Sequence, residues 1–150
     1  MTKLFGTDGI RGEAGVFPLD PRTVFLIGLS LATRMSEKLG RAPRFVTGRD
    51  TRESGGWIEE EIHAGATSAG AACESAGIIT TPGVAFLTPE FGFDLGVVIS
   101  ASHNPFYDNG IKAFLPSGQK IDEEMERAVE ADIEAAHDIE GEKARPSVNG

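Results

Sequence analysis

Apolar positions in this chain switch between helical and strand periods, and the switches predict the elements. Val24, Ile27, Leu31 and Met35 fall three or four residues apart, as on one face of a helix. Asp20-Pro21 opens that helix with a side-chain acceptor followed by a residue of preset φ, and Gly40 stops it. Phe25, Leu26 and Leu29 leave it apolar on more than one face, so it packs on two neighbours or supplies a contact between subunits. Arg44-Phe45-Val46-Thr47-Gly48 reads as a strand. A second helix is predicted from near Ser54, with Ile58, Ile62, Ala66, Ala69 and Cys73 as its inward stripe. Gly65, Gly70, Ala71 and Ala72 would let that helix lie close against a sheet. Gly77-Ile78-Ile79-Thr80 reads as a short strand ended by Thr81-Pro82-Gly83, and Val84 to Leu87 as a brief helix. Leu95 to Ile99 is uncharged and β-branched, the pattern of a fully buried strand. Ile111 to Leu115 returns as another strand, Pro116-Ser117-Gly118 turns the chain, and Met125, Val129 and Ile133 mark an amphipathic helix over Asp122 to Ala136.

Strands alternating with helices predict a three-layer α/β/α sandwich around a mixed, mainly parallel sheet. The two strands around the loop after Ile99 are too close in sequence for a helical crossover, so they form an antiparallel pair. Residues 1–136 read as one domain, and the polar residues 137–150 as a linker.

Charge sharpens this outline. The net charge of −9 sits entirely between Ile121 and Glu142, where ten acids face only Arg127. Such a run reads as a solvated helix face. The remainder is balanced and has no basic stripe, so nucleic acid is excluded as a partner class. The most apolar run, Val24 to Ala32, is too short to span a bilayer, and no membrane partner is expected. Cys73 is the single cysteine, which suits a reducing cytoplasm; it reads as a small core residue. His63 and His137 read as helix-surface residues, and no histidine has the close-spaced partner of a zinc motif.

The candidate chemistry lies in three loops. The buried strand at Leu95 delivers Ser100-Ala101-Ser102-His103-Asn104-Pro105 to the rim of a sheet, where ligands bind in open α/β folds. Ser102 and His103 are adjacent in an extended segment and point apart, and the flanks lack a Gly-x-Ser-x-Gly elbow, which argues against a hydrolase dyad. A serine that accepts and returns a phosphoryl group fits better. It needs exposure on a tight loop, cations for the dianion and a group that moves a proton. Asn104-Pro105 and Asp108-Asn109-Gly110 are turn formers that would fix the loop, and Lys112 lies just after it, at the start of the returning strand. In Gly6-Thr7-Asp8-Gly9-Ile10-Arg11-Gly12, three glycines would open backbone N–H groups to an anion, and Arg11 offers a planar fork that matches phosphate. In Gly48-Arg49-Asp50-Thr51-Arg52, either arginine could balance a phosphate, or Asp50 and Arg52 could tie the loop as an ion pair.

These three segments, in this order, resemble those of the α-D-phosphohexomutases. The resemblance runs from Phe5 to about Ala136. It implies that Ser102 carries phosphate, that Lys112 with Arg11 beside it transfers the proton at the acceptor hydroxyl, and that His103 and Asn104 position the phosphoserine. Thr7, Gly9, Arg11, Asn104 and Arg49 would meet substrate or phosphate. A phosphoserine oxygen on Ser102 would be one ligand of Mg²⁺, the other ligands belonging to a later domain. The wording around Ser102 and Gly6 implies the branch that interconverts glucosamine 6-phosphate and glucosamine 1-phosphate, primed by glucosamine 1,6-bisphosphate. The alternatives are a domain acting on mannose or glucose phosphates, or a free-standing phosphosugar-binding module. A small phosphosugar as partner, a homodimer of the full-length protein and a cytoplasmic location follow from the same resemblance. The family's Asp-Gly-Asp-Gly-Asp run is absent from these 150 residues, so the chain alone is expected to be inactive.

Overall fold

The computed structural model describes residues 3–144. A five-stranded sheet is formed by β1 (Ile10–Glu13), β2 (Arg44–Arg49), β3 (Ala72–Ile78), β4 (Leu95–Ile99) and β5 (Asp108–Phe114), in the order β1-β5-β4-β2-β3. β2 pairs parallel with β3 and β4, whereas β5 pairs antiparallel with β4 and β1, so the mixed sheet is evenly divided. Helices α1 (Pro21–Leu39), α2 (Gly55–Ser68) and α4 (Glu123–Ala144) share one core with Phe45, Leu95, Val97, Ile99 and Ile111. Helix α3 (Thr81–Glu90) covers the other face through Val84 and Leu87, against Val46 and Val98. The three layers follow from the alternation along β4, whose odd and even residues enter different cores.

The caps on α1 are those the sequence predicts: Asp20 accepts from Thr23 N–H at 3.1 Å, and Gly40 closes the helix with a left-handed φ of 71°. Its apolar girth is used inside the chain. Gly28 lies under the Ile62 carbonyl and Gly65 under that of Phe25, so α1 and α2 approach backbone to backbone. α4 packs along another side of α1. α1 therefore packs on two neighbours, while Phe25 and Leu29 stay partly buried.

Several boundaries differ from expectation. Cys73 is a β3 residue, not part of a helical stripe, because α2 ends at Ser68 and Gly70 turns the chain with φ 93°. Gly65 serves helix–helix rather than helix–sheet packing. β3 begins five residues before Gly77, paired along β2 from Arg44↔Ala72. Thr80 caps α3 by accepting from Gly83 N–H, so Thr81-Pro82-Gly83 starts a helix that runs on to Glu90. Asp108-Asn109-Gly110 is strand, not turn, because β1 lies opposite as a partner and Ser54 Oγ accepts from the Asn109 amide at 2.8 Å. α4 continues through His137 to Ala144, where a linker was expected; the rest of that expected linker lies outside the described residues.

The acidic run is only in part a solvated face. Glu130 is 2% exposed and accepts from Leu4 N–H at 2.6 Å and Phe5 N–H at 2.9 Å, which pins the start of the chain to α4. Asp132 accepts from Ser30 and from a two-pronged Arg34. His63 and His137 are not free surface residues either. His137 meets Thr23 Oγ1 at 3.2 Å, and half-buried His63 meets Thr47 Oγ1 at 2.6 Å. Thr47 donates its hydroxyl to buried Glu59, so it accepts from His63 Nε2–H. Burial pushes the Cys73 thiol up to about 11, which keeps it protonated. Among the described residues no helix is long and apolar enough to cross a membrane.

Two measurements check this packing. Gly28→Ala forces a methyl group against the Ile62 backbone and is expected to cost about 1–3 kcal/mol in urea denaturation. Burial lowers the pKa of His63 below its ordinary 6.5, opposed by the Glu59 charge. The unfolded chain therefore binds that proton first, and stability present above pH 6.5 is lost as pH falls below it. The urea midpoint should drop across that window in the parent and stay flatter in H63Q.

Candidate functional site

β2 and β4 are parallel neighbours, so the loops that leave their carboxyl ends rise on the same rim of the sheet. One carries Asp50 and Arg52; the other carries Ser100, Ser102 and Asn104. The antiparallel strand β5 returns from the second loop and places Lys112 opposite Val98. β1 lies outside β5, with Arg11 opposite Gly110. Residues opposite one another, or two apart on a strand, share a face of a sheet. Arg11 and Lys112 are therefore diagonal neighbours on one face.

Ser102 is exposed, and it is the one non-glycine residue with positive φ among the described residues, at 52°. A left-handed L-residue costs about 1–2 kcal/mol, and such strain persists only where the surroundings enforce it. Here Ser102 N–H donates to Ser100 Oγ at 3.1 Å, and Ser100 Oγ donates to Asp50 Oδ2 at 2.8 Å. Arg11 spreads its guanidinium over the outer side of the loop, one prong to Asn104 Oδ1 at 3.3 Å and the other to Ser102 Oγ at 3.5 Å. Both bonds are long, and the buried Nε of Arg11 has no partner among the described residues. The guanidinium thus keeps donor capacity for an anion at the Ser102 hydroxyl.

Asn104 also donates to Asp108 at 3.2 Å, so it spans the loop. His103 is exposed and makes no side-chain hydrogen bond among the described residues. Arg49 is not brought to the loop: it pairs with Glu59 at 2.7 Å, held by α2 on the opposite face. Its expected phosphate role is taken from it by a buried carboxylate that needs a cation.

Thr7 and Gly9 line a cavity of about 210 Å³ with Lys112, Lys120, Phe5 and Glu126. The glycines do not open a hollow of free amides there, because Gly6 and Gly9 bond each other's backbone in a tight hairpin. Gly9 alone of the three has positive φ, 85°, and a Cβ there would strike the Ile111 carbonyl and, at 2.9 Å, Lys112 Cγ. That glycine lets the hairpin sit directly beside Lys112.

Sequence reasoning left Arg52 undecided and passed over Ser100. Arg52 does form the pair with Asp50, at 3.1 Å, but it also donates to carbonyls of the Ser102 loop. The available signal was positional: Asp50-x-Arg52 and Ser100-x-Ser102 each follow a strand end by a residue or three.

A family model described as "Phosphoglucomutase/phosphomannomutase, alpha/beta/alpha domain I" matches residues 2–140. The chain belongs to that family. It is similar to a phosphoglucosamine mutase of Koribacter versatilis, 54% identical over 133 residues, which are 89% of this chain and 28% of the relative. It is also similar to a phosphoglucosamine mutase of Solibacter usitatus, 50% identical over 130 residues, covering 87% of this chain and 29% of the relative. The chain thus spans less than a third of the length of these relatives. A crystal structure of a phosphoglucomutase/phosphomannomutase family protein from Burkholderia thailandensis superposes with a TM-score of 0.74 at 25% identity, over 90% of this chain and 30% of that one.

The backbone at Ser102 has a direct check. Ser102→Gly relieves the left-handed conformation and Ser102→Ala does not, so urea denaturation should find the glycine variant about 1 kcal/mol the more stable.

Proposed function

We propose that this chain is the phosphoryl-carrying domain of a phosphoglucosamine mutase, which interconverts glucosamine 6-phosphate and glucosamine 1-phosphate. The observation that carries the reading is Ser102: an exposed hydroxyl on a left-handed loop tip, with the Arg11 guanidinium at its oxygen. The names of the similar relatives supply the choice of sugar.

The chemistry follows from these residues. In the forward transfer, a sugar hydroxyl oxygen bonds to the phosphorus of phosphorylated Ser102 while the bond from phosphorus to Ser102 Oγ breaks. Lys112 Nζ relays the proton of the sugar hydroxyl, which ends on Ser102 Oγ as that oxygen leaves phosphorus. Arg11 holds the charge spread over the equatorial oxygens. Glucosamine 1,6-bisphosphate formed in this way reverses the step from its other phosphate and so primes the enzyme. Asn104 fixes the loop and His103 is free to meet a phosphate oxygen.

Mg²⁺, when bound, neutralises charge on the transferring phosphoryl group. This chain's contribution to holding it would be an oxygen on phosphorylated Ser102. Among the described residues no group of three or more His, Cys, Asp or Glu side chains gathers as a metal site, so they do not complete one alone. A homodimer of the full-length protein is part of the proposal, through a surface other than the α1 sides that α2 and α4 cover. We place the reaction in the cytoplasm, where the lone Cys73 stays reduced.

Intact mass spectrometry of the natural polypeptide after incubation with glucosamine 1,6-bisphosphate and Mg²⁺ tests this reading. One phosphoryl group is expected on Ser102, and none in S102A, which should also lose mutase turnover. Sugar phosphate binding with no phosphate ever found on Ser102 would show a binding module instead.

A further inference from the structure

The loop after β2 does more than close on itself. Arg52 keeps only 11% of its side chain exposed, beneath the Ser102 loop. One terminal nitrogen donates to the carbonyls of Pro105 and Asp108, at 2.5 and 3.2 Å. The other donates to those of Ser102 and Asn104, both at 2.9 Å. Its Nε binds Asp50 Oδ2 at 3.1 Å. The same Asp50 oxygen accepts from Ser100 Oγ, which in turn accepts the Ser102 N–H. Both backbone polar groups of Ser102 therefore end on one ion pair, the carbonyl directly on Arg52 and the amide through Ser100 on Asp50.

We infer that Arg52, braced by Asp50, is a positioning residue for phosphoryl transfer: it holds Ser102 left-handed, so that the hydroxyl stands under Arg11. The inference rests on the phosphoryl-carrying role proposed for Ser102. Arg52 touches no reacting atom, since all its partners are Asp50 and backbone carbonyls. Its work needs the planar fork of a guanidinium, because two nitrogens each serve two carbonyls while Nε stays on the carboxylate. A lysine keeps the charge and cannot span the set. With carbonyls gathered inward around a cation, the outer side of the loop is left to the hydroxyl and to Arg11, where negative charge would accumulate.

The test uses the natural polypeptide and single-turnover transfer from glucosamine 1,6-bisphosphate to Ser102, read by quenched-flow mass spectrometry. R52K should slow the transfer about 10- to 100-fold, with the half-saturating donor concentration within about twofold of the parent. The Ser102 ¹³Cα and ¹³Cβ shifts should move from left-handed toward extended values. R41K, which weakens the distant Arg41–Asp94 pair, controls for stability and should leave rate and shifts alone. S100A removes the amide branch with a smaller change and should slow transfer about 5- to 10-fold, which keeps the question answerable should R52K not fold. Transfer within twofold of the parent in R52K, or in S100A if only that variant folds, overturns the inference. So does a loss confined to half-saturation. A parent protein that takes no phosphate on Ser102 overturns the proposed function, and this inference with it.

Discussion

The site depends on the parallel register of β2 against β4. Phe45↔Leu95 through Arg49↔Ile99 aligns the two strands so that they end together, and the next residues of each meet across the rim. Asp50 N–H donates to the Ile99 carbonyl at 3.1 Å, the last rung before the loops part. From that rung the Asp50 carboxylate is already within reach of Ser100, and Arg52 is beneath Ser102. A shift of one residue would turn Asp50 to the other face and leave the loop without its ion pair. The buried β-branched run of β4 is what forbids the shift, because each of its side chains already belongs to one core or the other.

A second constraint comes from the opposite end of the chain. Glu130 on α4 accepts two backbone N–H groups at Leu4 and Phe5, with Arg127 as its neighbouring cation at 3.1 Å. Those bonds set where the Gly6–Gly9 hairpin begins, and so where β1 lays Arg11 along β5. Helix α4 is thus not a solvated appendage. It converts part of the acidic run into an anchor for the residue that faces Ser102.

Much of this was legible from residue order. The caps of α1, the buried strand at Leu95, the antiparallel return and the prominence of Ser102 all follow from local chemistry that the structure keeps. What escaped was chemistry between distant segments. Arg49 and Arg52 look alike in the sequence; only the alternation along β2 and its continuation tells which meets Glu59 and which the Ser102 loop. Ile10–Glu13 carries too little apolar pattern to announce a strand and becomes one by pairing with β5. Cys73 sat in an alanine-rich stretch that suits a helix, and Gly70 with β2 as partner decided otherwise. Acidic residues of α4 look solvated in the sequence because their partners, Leu4, Phe5, Ser30 and Arg34, lie about a hundred residues away.

The two supports of Ser102 sit at unequal depths in the sheet. Its backbone is braced from the end of β2, a strand paired on both sides, whereas Arg11 rides on β1, four residues long and paired on one side only. Outer strands open before inner ones. Opening of β1 would therefore withdraw the cation and leave Ser102 in place, so the charge around Ser102 can change while its geometry does not.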